Sequence, residues 1–330
     1  MRKTRHSKRR IIQCSCIALL VVIFFSAALL VLKIWEKSQG KFPETGYSNP
    51  VIEYNGEEYV INENVETLLI LGLDKYESDE VVDSYINDQQ ADFLLLLVFD
   101  NDSKKMSAIQ INRDTMADVN ILGVAGNKVN TVKKQIALAH TYGNGRDVSC
   151  RNTADAVSSL LMGAKVDHYA SLKMDAISFY NDLVGGVEVT VLHDFTGVDN
   201  TLVKGEKVIL RGEQALTYVR ARQGIEDSSN STRMERQRQY LSALYDKSIQ
   251  CAKDDDSFII DASVKMSDLI ISDRSVTQIQ EIARKIADYE FSGIISLEGE
   301  SKVGEEFMEF YPDEGFIKET VIELFYTPKK

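Results

Sequence analysis

The chain has 330 residues, enough for one large domain or two small ones beside a targeting segment. Its formal charge is −12 at pH 7, and removing the six basic residues among the first ten leaves −18 for the remainder. Such an acidic chain excludes nucleic acid as a partner, because phosphate backbones require a broad basic face. The four histidines are scattered, with no HisGluXXHis or CysXXCys spacing, so no zinc site is expected.

The N-terminus predicts a membrane anchor. Residues 1–10 form a basic tail, and residues 11–34 contain an uncharged run long enough, as a helix, to cross a hydrocarbon core of roughly 30 Å. Because basic flanks stay in the cytoplasm, we expect a single-pass protein of the cell membrane with a cytoplasmic N-terminus and an extracellular C-terminal domain. A cleaved signal peptide is the alternative, since Ser26, Ala27 and Ala28 are small, but the apolar run exceeds the usual length of about 7 to 15 residues.

The remainder divides into a stalk and one folded domain. Residues 35–65 contain scattered glycine and proline with little periodicity, which is typical of an extracytoplasmic stalk. We assign residues 66–330 to a single domain, with a motif-bearing part at 66–250 and a C-terminal continuation at 251–330.

Three runs rich in apolar residues predict the centre of a sheet. Residues 67–73 are apolar throughout, which favours a strand buried on both faces, and residues 93–99 and 105–111 flank a polar turn as a β-hairpin does. Polar residues stand at the ends of these runs, namely Asp74, Asp92 and Arg113. Since neighbouring antiparallel strands begin and end at the same edge, Asp92 and Arg113 are expected to meet there.

Further elements alternate along the chain. The patterns predict helices at 131–142, from Asn152 or Thr153 to before Gly163, from 175 to 184, within 212–218 and at 234–249, with strands at 169–172 and 187–192. Helices alternating with strands, with a hairpin among them, indicate an α/β fold: an α-β-α sandwich around a mixed central sheet rather than a doubly wound parallel one.

Five arginines are concentrated between residues 214 and 238 of this acidic chain: Arg220, Arg222, Arg233, Arg236 and Arg238. If their segment were a strand, Arg220 and Arg222 would share one face. If the following segment were a helix, the i, i+3, i+4 spacing would place Arg233, Arg236 and Gln237 on one face. Guanidinium forks suit phosphate oxygens, so one interpretation is an anion clamp. A solvated basic helix face is the other.

Two cysteines lie outside the anchor. Cys150 and Cys251 would be in an oxidising compartment, which permits a disulfide between them, although spacing by itself does not establish the geometry.

A set of short motifs in a fixed order resembles the LytR-CpsA-Psr family over about residues 66–250. In chain order they are LeuIleLeuGlyLeuAsp at 69–74, AlaAsp at 91–92, AsnArgAspThr at 112–115, LysValAsn at 128–130, TyrGly at 142–143, AspHisTyr at 167–169, ValGlyGlyValGluVal at 184–189, AlaLeuXTyrValArgXArg at 215–222 and ArgXXArgGln at 233–237. The resemblance implies a catalytic domain that moves an anionic glycopolymer, such as teichoic acid or capsule, from a polyprenyl-diphosphate carrier to peptidoglycan.

The same resemblance implies roles for individual residues. The catalytic set is Asp74, Asp92, Arg113, Arg220 and Arg222; the substrate-binding set is Lys128, Arg233, Arg236 and Gln237. The two aspartates are implied to hold Mg²⁺ against the diphosphate, and hard oxygen ligands suit that cation. A diphosphate ester is already anionic, so arginines would act by neutralising its charge. Asp74 is the preferred candidate to accept the proton of the attacking hydroxyl, although a cation-bound carboxylate is a poor base.

This chain departs from the family pattern at three places. Gln90 and Ala91 replace the usual ArgSer before the aspartate, Asn112 replaces a proline, and residues 227–233 replace GlyAspPheGlyArg, leaving open whether Asp227 or Asn230 takes the acidic position. Two other functions remain as alternatives: a polyprenyl-diphosphate phosphatase, and a non-catalytic receptor for polyprenyl lipids.

Overall fold

A computed structural model describes residues 51–75, 86–305 and 307–329. The predicted cytoplasmic tail and transmembrane helix lie outside these ranges. Within them, no helix combines the length and the apolar character needed to cross a bilayer.

The elements follow one another as a mixture of short strands and helices. The strands are β1 Val51–Tyr54, β2 Glu57–Ile61, β3 Val65–Lys75, β4 Gln89–Asp100, β5 Lys105–Ile111, β6 Met116–Leu122, β7 Lys128–Gln135, β8 His168–Lys173, β9 Val187–Thr190, β10 Lys207–Leu210, β11 Ile270–Ser272, β12 Glu290–Ser296, β13 Gly299–Val303, β14 Met308–Pro312 and β15 Tyr326–Pro328. The α-helices are α1 Asp147–Leu160, α2 Asp175–Leu183, α3 Glu213–Arg220, α4 Asn230–Asp254, α5 Phe258–Met266, α6 Val276–Asp288 and α7 Glu314–Phe325.

A six-stranded mixed sheet forms the centre, in the order β11-β8-β3-β4-β5-β12. Strands β3, β4 and β5 are antiparallel neighbours, whereas β8 and β12 run parallel to β3 and β5. The prediction of a mixed central sheet and of the 93–111 hairpin is therefore confirmed.

Helices cover both faces of this sheet, which explains the unbroken apolar runs of β3 and β4. On one face, Leu69, Leu71 and Leu96 pack with side chains of α1 and α7. On the other face, Leu95 and Leu97 lie in a cluster with side chains of α4 and α6. The layers are thus helix, sheet and helix, as expected.

The predicted stalk is wrong from residue 51 onward. Strands β1 and β2 pair with each other and with β15 near the C-terminus. Ile52 is buried in the main core with residues of α7. Gly56 therefore marks the tight turn between β1 and β2, where it adopts a positive φ of 82°.

The helix predicted at 131–142 is also wrong over its first half. Residues 128–135 form β7, which pairs with β6, and only Ile136–Thr141 is helical, as a 3₁₀ turn. Pairing with β6 outweighs the weak helical period of this segment.

The possible disulfide does not form. Cys150 and Cys251 are both free, and they belong to two different hydrophobic clusters. Burial raises the pKa of the Cys150 thiol to about 12, so it behaves as a small apolar core residue.

Candidate functional site

A polar cavity of about 580 Å³ opens at one edge of the central sheet. It is lined by Asp74, Asp92, Arg113, Glu213, Leu216, Thr217, Arg220, Ala221, Arg222, Gln223 and Arg233. Six of the residues singled out from the sequence therefore meet in one volume: both aspartates and four of the arginines.

A β-bulge places the two aspartates. In the β3–β4 ladder, Gly72 pairs with Phe93 and Leu73 pairs with Ala91, so Asp92 is the extra residue between them. A bulge of this kind re-aims a side chain out of the regular alternation. Asp92 thereby lines the same cavity as Asp74, which ends β3.

Arg113 follows β5 at this edge and forms an ion pair with Asp92. The predicted meeting of these two residues is confirmed. The Nε atom of Arg113 also lies 3.2 Å from Asp114 Oδ1, and Gln135 Nε2 donates to the same carboxylate at 3.2 Å. Asp114 is 5% exposed, so a buried carboxylate orients the Arg113 guanidinium.

Arg220 and Arg222 reach the cavity from the end of a helix rather than from a strand. Arg220 is the last residue of α3, and its Nη2 lies 2.5 Å from Asp74 Oδ2. Arg222 comes two residues later and forms no ion pair with any residue in the described ranges. The strand interpretation of this pair is wrong, but both side chains still line one cavity.

Arg233 enters from the first turns of α4 and is 6% exposed. Its Nη1 lies 3.9 Å from Asp92 Oδ2, and its Nη2 donates to Asn230 Oδ1 at 2.6 Å. Burial, reinforced by the charges of Arg113 and Arg222, lowers the pKa of Arg233 to about 10, so it remains protonated at neutral pH.

Asn230 and Asp227, the two candidates for the acidic position of the family pattern, make different contacts. Asn230 Nδ2 donates to Asn112 Oδ1 at 2.6 Å, which links α4 to the loop after β5. Asp227 instead accepts from Ser229 N and Thr232 Oγ1 ahead of α4.

Arg236, assigned to the substrate-binding set from the sequence, lies apart from both cavities. It is fully buried and lines neither the polar nor the apolar cavity. Its Nε donates to the carbonyl of Tyr218 at 2.9 Å, and its Nη2 donates to the carbonyl of Ala221. Arg236 therefore caps the C-terminal end of α3, next to Arg220 and Arg222.

Gln237 has a mixed role. Its Nε2 donates to the carbonyl of Val219 at 3.2 Å, so it also holds the end of α3. In addition, it lines the apolar cavity described below.

Lys128, the remaining member of the predicted substrate-binding set, lines neither cavity. It begins β7, and it is the opposite end of that strand, Gln135, that contacts Asp114. Seven residues of strand separate the two positions by about 23 Å.

A second, apolar cavity of about 460 Å³ lies between the sheet and helices α2, α4, α5 and α6. Its walls include Leu95, Leu97, Tyr245, Met266 and Ile286. It shares Asp92, Arg220 and Arg233 with the polar cavity. The two volumes therefore adjoin, and together they match a ligand with an anionic head and a long apolar tail.

The two aspartates are compatible only with a cation that takes most of its ligands from substrate phosphates and water. Among the residues described, no group of three or more His, Cys, Asp or Glu side chains is placed to hold a metal ion. Mg²⁺ is commonly bound by one or two carboxylates together with substrate phosphates and water. Asp74 and Asp92 fit that mode, with most ligands coming from outside the protein.

Sequence reasoning missed three polar residues of the cavity, namely Glu213, Thr217 and Gln223. Glu213 and Thr217 precede Arg220 by seven and three residues, which places all three on one face of α3. This helical spacing was the available signal.

The fold and the paired cavities define an α/β protein with an arginine-rich cavity that adjoins an apolar cavity at the edge of a mixed sheet. The chain belongs to the LytR_cpsA_psr family, whose model matches residues 30–289.

Curated relatives agree with this assignment. The chain is 29% identical over 185 residues to the polyisoprenyl-teichoic acid–peptidoglycan teichoic acid transferase TagU of Halalkalibacterium halodurans, covering 56% of this chain and 53% of the relative. It is 24% identical over 241 residues to biofilm regulatory protein A of Streptococcus mutans serotype c, covering 70% of this chain and 56% of the relative. The chain thus spans about half the length of these relatives.

The fold is shared with solved structures. The structure of TagT bound to LIIa-WTA superposes with a TM-score of 0.59 at 23% identity, covering 79% of this chain and 90% of TagT. At this identity the likeness establishes the fold.

Proposed function

We propose that the protein is a membrane-anchored phosphotransferase that moves an anionic glycopolymer from a polyprenyl-diphosphate carrier to peptidoglycan. The observation that carries the proposal is the junction of the two cavities, where Asp92, Arg220 and Arg233 belong to both. The teichoic acid transferase named among the relatives supports the same substrate class.

The charges of the polar cavity suit a diphosphate. Four arginines face three carboxylates there, in a chain whose overall charge is −12. Arg222 has no carboxylate partner among the described residues, so it can bind an anion without breaking an ion pair. Charge neutralisation and positioning are the main requirements of phosphoryl transfer, because the reacting group is already anionic.

The reaction follows from this placement. The acceptor hydroxyl oxygen forms a bond to the phosphorus that carries the glycan, the bond from that phosphorus to the bridging oxygen breaks, and the prenyl phosphate leaves. The hydroxyl proton passes to a carboxylate, for which Asp74 is our preferred candidate. Mg²⁺ bound by Asp74 and Asp92 would supply further positive charge against the diphosphate.

The apolar cavity would take the first isoprene units of the carrier. Its walls are mostly aliphatic and aromatic side chains from five helices and the sheet. The N-terminal apolar run of residues 11–34 would hold the domain at the outer surface of the membrane where such a carrier resides.

The test uses the full-length chain in detergent with Mg²⁺, a radiolabelled glycan on heptaprenyl diphosphate as donor, and uncrosslinked peptidoglycan strands as acceptor. We expect label to move to peptidoglycan, and Arg220→Ala to abolish the transfer. Arg238→Lys, which changes a cation outside both cavities, is the control and should retain transfer. Release of free glycan phosphate without label on peptidoglycan would instead identify a phosphatase, and donor binding without either product would identify a receptor.

A further inference from the structure

The polar cavity continues beyond its arginine-rich part along one face of α3. Glu213, Thr217 and Arg220 are at positions i, i+4 and i+7 of this helix, and all three line the cavity. With a rise of 1.5 Å per residue, Glu213 lies about 10 Å from Arg220 along the helix axis. The cavity therefore has a second end, which we define by Glu213, Thr217 and Gln223.

The carboxylate at this end differs from the other two in the cavity. Asp74 and Asp92 are neutralised by Arg220 and Arg113. Glu213 forms no ion pair within the described ranges and accepts a single hydrogen bond, from Ser178 Oγ at 3.2 Å. An uncompensated carboxylate repels phosphate, so this end of the cavity does not suit the diphosphate.

The remaining groups at this end are uncharged. Thr217 offers a hydroxyl and Gln223 an amide, each of which both donates and accepts hydrogen bonds. Leu216 adds an apolar surface beside them. A carboxylate, a hydroxyl and an amide around a small apolar patch are complementary to the hydroxyl groups and the carbon face of a neutral or amino sugar.

The positions of these residues along the cavity indicate whether this end binds the donor or the sugar acceptor. Asp92, Arg220 and Arg233 adjoin the apolar cavity, whereas Glu213, Thr217 and Gln223 do not line it. Glu213 and Gln223 are also exposed to solvent, so a polymer can reach them. The tail, the diphosphate and this outer end therefore follow one another from the interior to the surface.

We propose that Glu213, Thr217 and Gln223 form the binding site for the sugar acceptor, with Glu213 accepting hydrogen bonds from acceptor hydroxyl or amide groups. This rests on the proposed transfer function and adds the place and the chemistry of acceptor recognition. It also predicts that the acceptor unit bound here carries no phosphate.

The test separates acceptor binding from donor binding in the full-length protein. The Michaelis constant is measured for uncrosslinked peptidoglycan strands at saturating heptaprenyl-diphosphate-linked glycan, and then for the donor at saturating acceptor. For Glu213→Gln, we expect the acceptor Michaelis constant to rise about tenfold, since a hydrogen bond to a charged group is lost. The donor Michaelis constant and the melting temperature should stay unchanged.

Two further variants sharpen the result. Thr217→Val keeps the shape of the side chain and should raise the acceptor Michaelis constant about threefold or more. Glu188→Gln is the matched control, because Glu188 pairs with Lys207 on the surface at 2.9 Å, away from both cavities. We expect it to behave as wild type.

The outcomes that overturn the inference differ from those that overturn the function. An unchanged acceptor Michaelis constant in both Glu213→Gln and Thr217→Val would reject the acceptor site while transfer itself stands. A raised donor constant in Glu213→Gln would assign Glu213 to the donor instead. Absence of transfer by the wild-type protein would reject the proposed function.

Discussion

Replacing Arg236 tests whether the orientation of the cavity arginines Arg220 and Arg222 depends on a buried residue that lines neither cavity. Arg236 is fully buried, its guanidinium lies 5.4 Å from the centre of the Phe195 ring, and it donates to the carbonyls of Tyr218 and Ala221. Ala221 stands between the two cavity arginines. The conformation of that segment, and hence the direction of Arg220 and Arg222, should therefore depend on Arg236.

The size of the effect follows from these contacts. In Arg236→Met, the methionine fills much of the volume but leaves two buried carbonyls without a charged donor, at about 1.5 to 3 kcal/mol each. Removing a buried charge offsets part of this, so we expect the free energy of unfolding to fall by about 3 kcal/mol. A shift of about 1 Å in a positioned group lowers kcat/KM roughly 100-fold, which is the activity loss we expect.

Arg236→Lys gives an intermediate case. Lysine keeps the charge but lacks the planar fork that reaches both carbonyls, so we expect kcat/KM to fall about tenfold. Arg238→Lys on the same helix is the control, because Arg238 donates to the side chains of Gln110 and Ser296 rather than to the end of α3.

The assay combines urea unfolding with transfer kinetics at a temperature where every variant is folded. Wild-type kcat/KM in folded Arg236→Met would refute the positioning role, even if the variant were less stable. A loss of stability with unchanged kinetics would show that Arg236 serves only the core.

Two other predictions concern the apolar cavity and pH. Ala283→Trp places a large ring in the cavity lined by Ala283 and should raise the Michaelis constant for a heptaprenyl donor much more than for a geranyl donor; equal effects on both would contradict a tail-binding role. Burial raises the pKa of Asp155 to about 6, so the folded state loses stability as pH rises from about 4 through 6. Asp155→Asn should therefore stabilise the protein by about 2 kcal/mol at pH 8 and much less at pH 4, as measured by urea unfolding.

Much of the site could be predicted from short-range patterns. Strand ends carry polar residues because side chains there leave the apolar core, and this placed Asp92 and Arg113 at one edge of a sheet. The ordered motifs then identified the family and its arginines. The placement of the strand ends needed only chain order and the period of each element, whereas the family and its arginines rested on the resemblance of the motifs to a known family.

Other features could not be predicted because contacts distant in sequence decide them. Arg233 and Arg236 are three residues apart on α4, yet Arg233 lines the cavity and Arg236 caps α3. Only the packing of α3 against α4 gives these two arginines different roles. Lys128 seemed equivalent to the other donors until the β6–β7 pairing placed it at the far end of its strand. Residues 51–61 gave no strong strand pattern, and β15, more than 260 residues later, supplies their partner.

The amino-acid sequence was enough to predict the mixed sheet, because strands and helices depend on residue type and local periodicity, and its ordered motifs were enough to recognise the family and the chemical groups that the resemblance implies for the site. Tertiary structure alone decided that Asp92 sits in a bulge, that the polar cavity adjoins an apolar one, and that Glu213 lies in the same cavity as the arginines. The physical reason is that a cavity is bounded by side chains from many elements. Its shape therefore exists only once those elements are packed together.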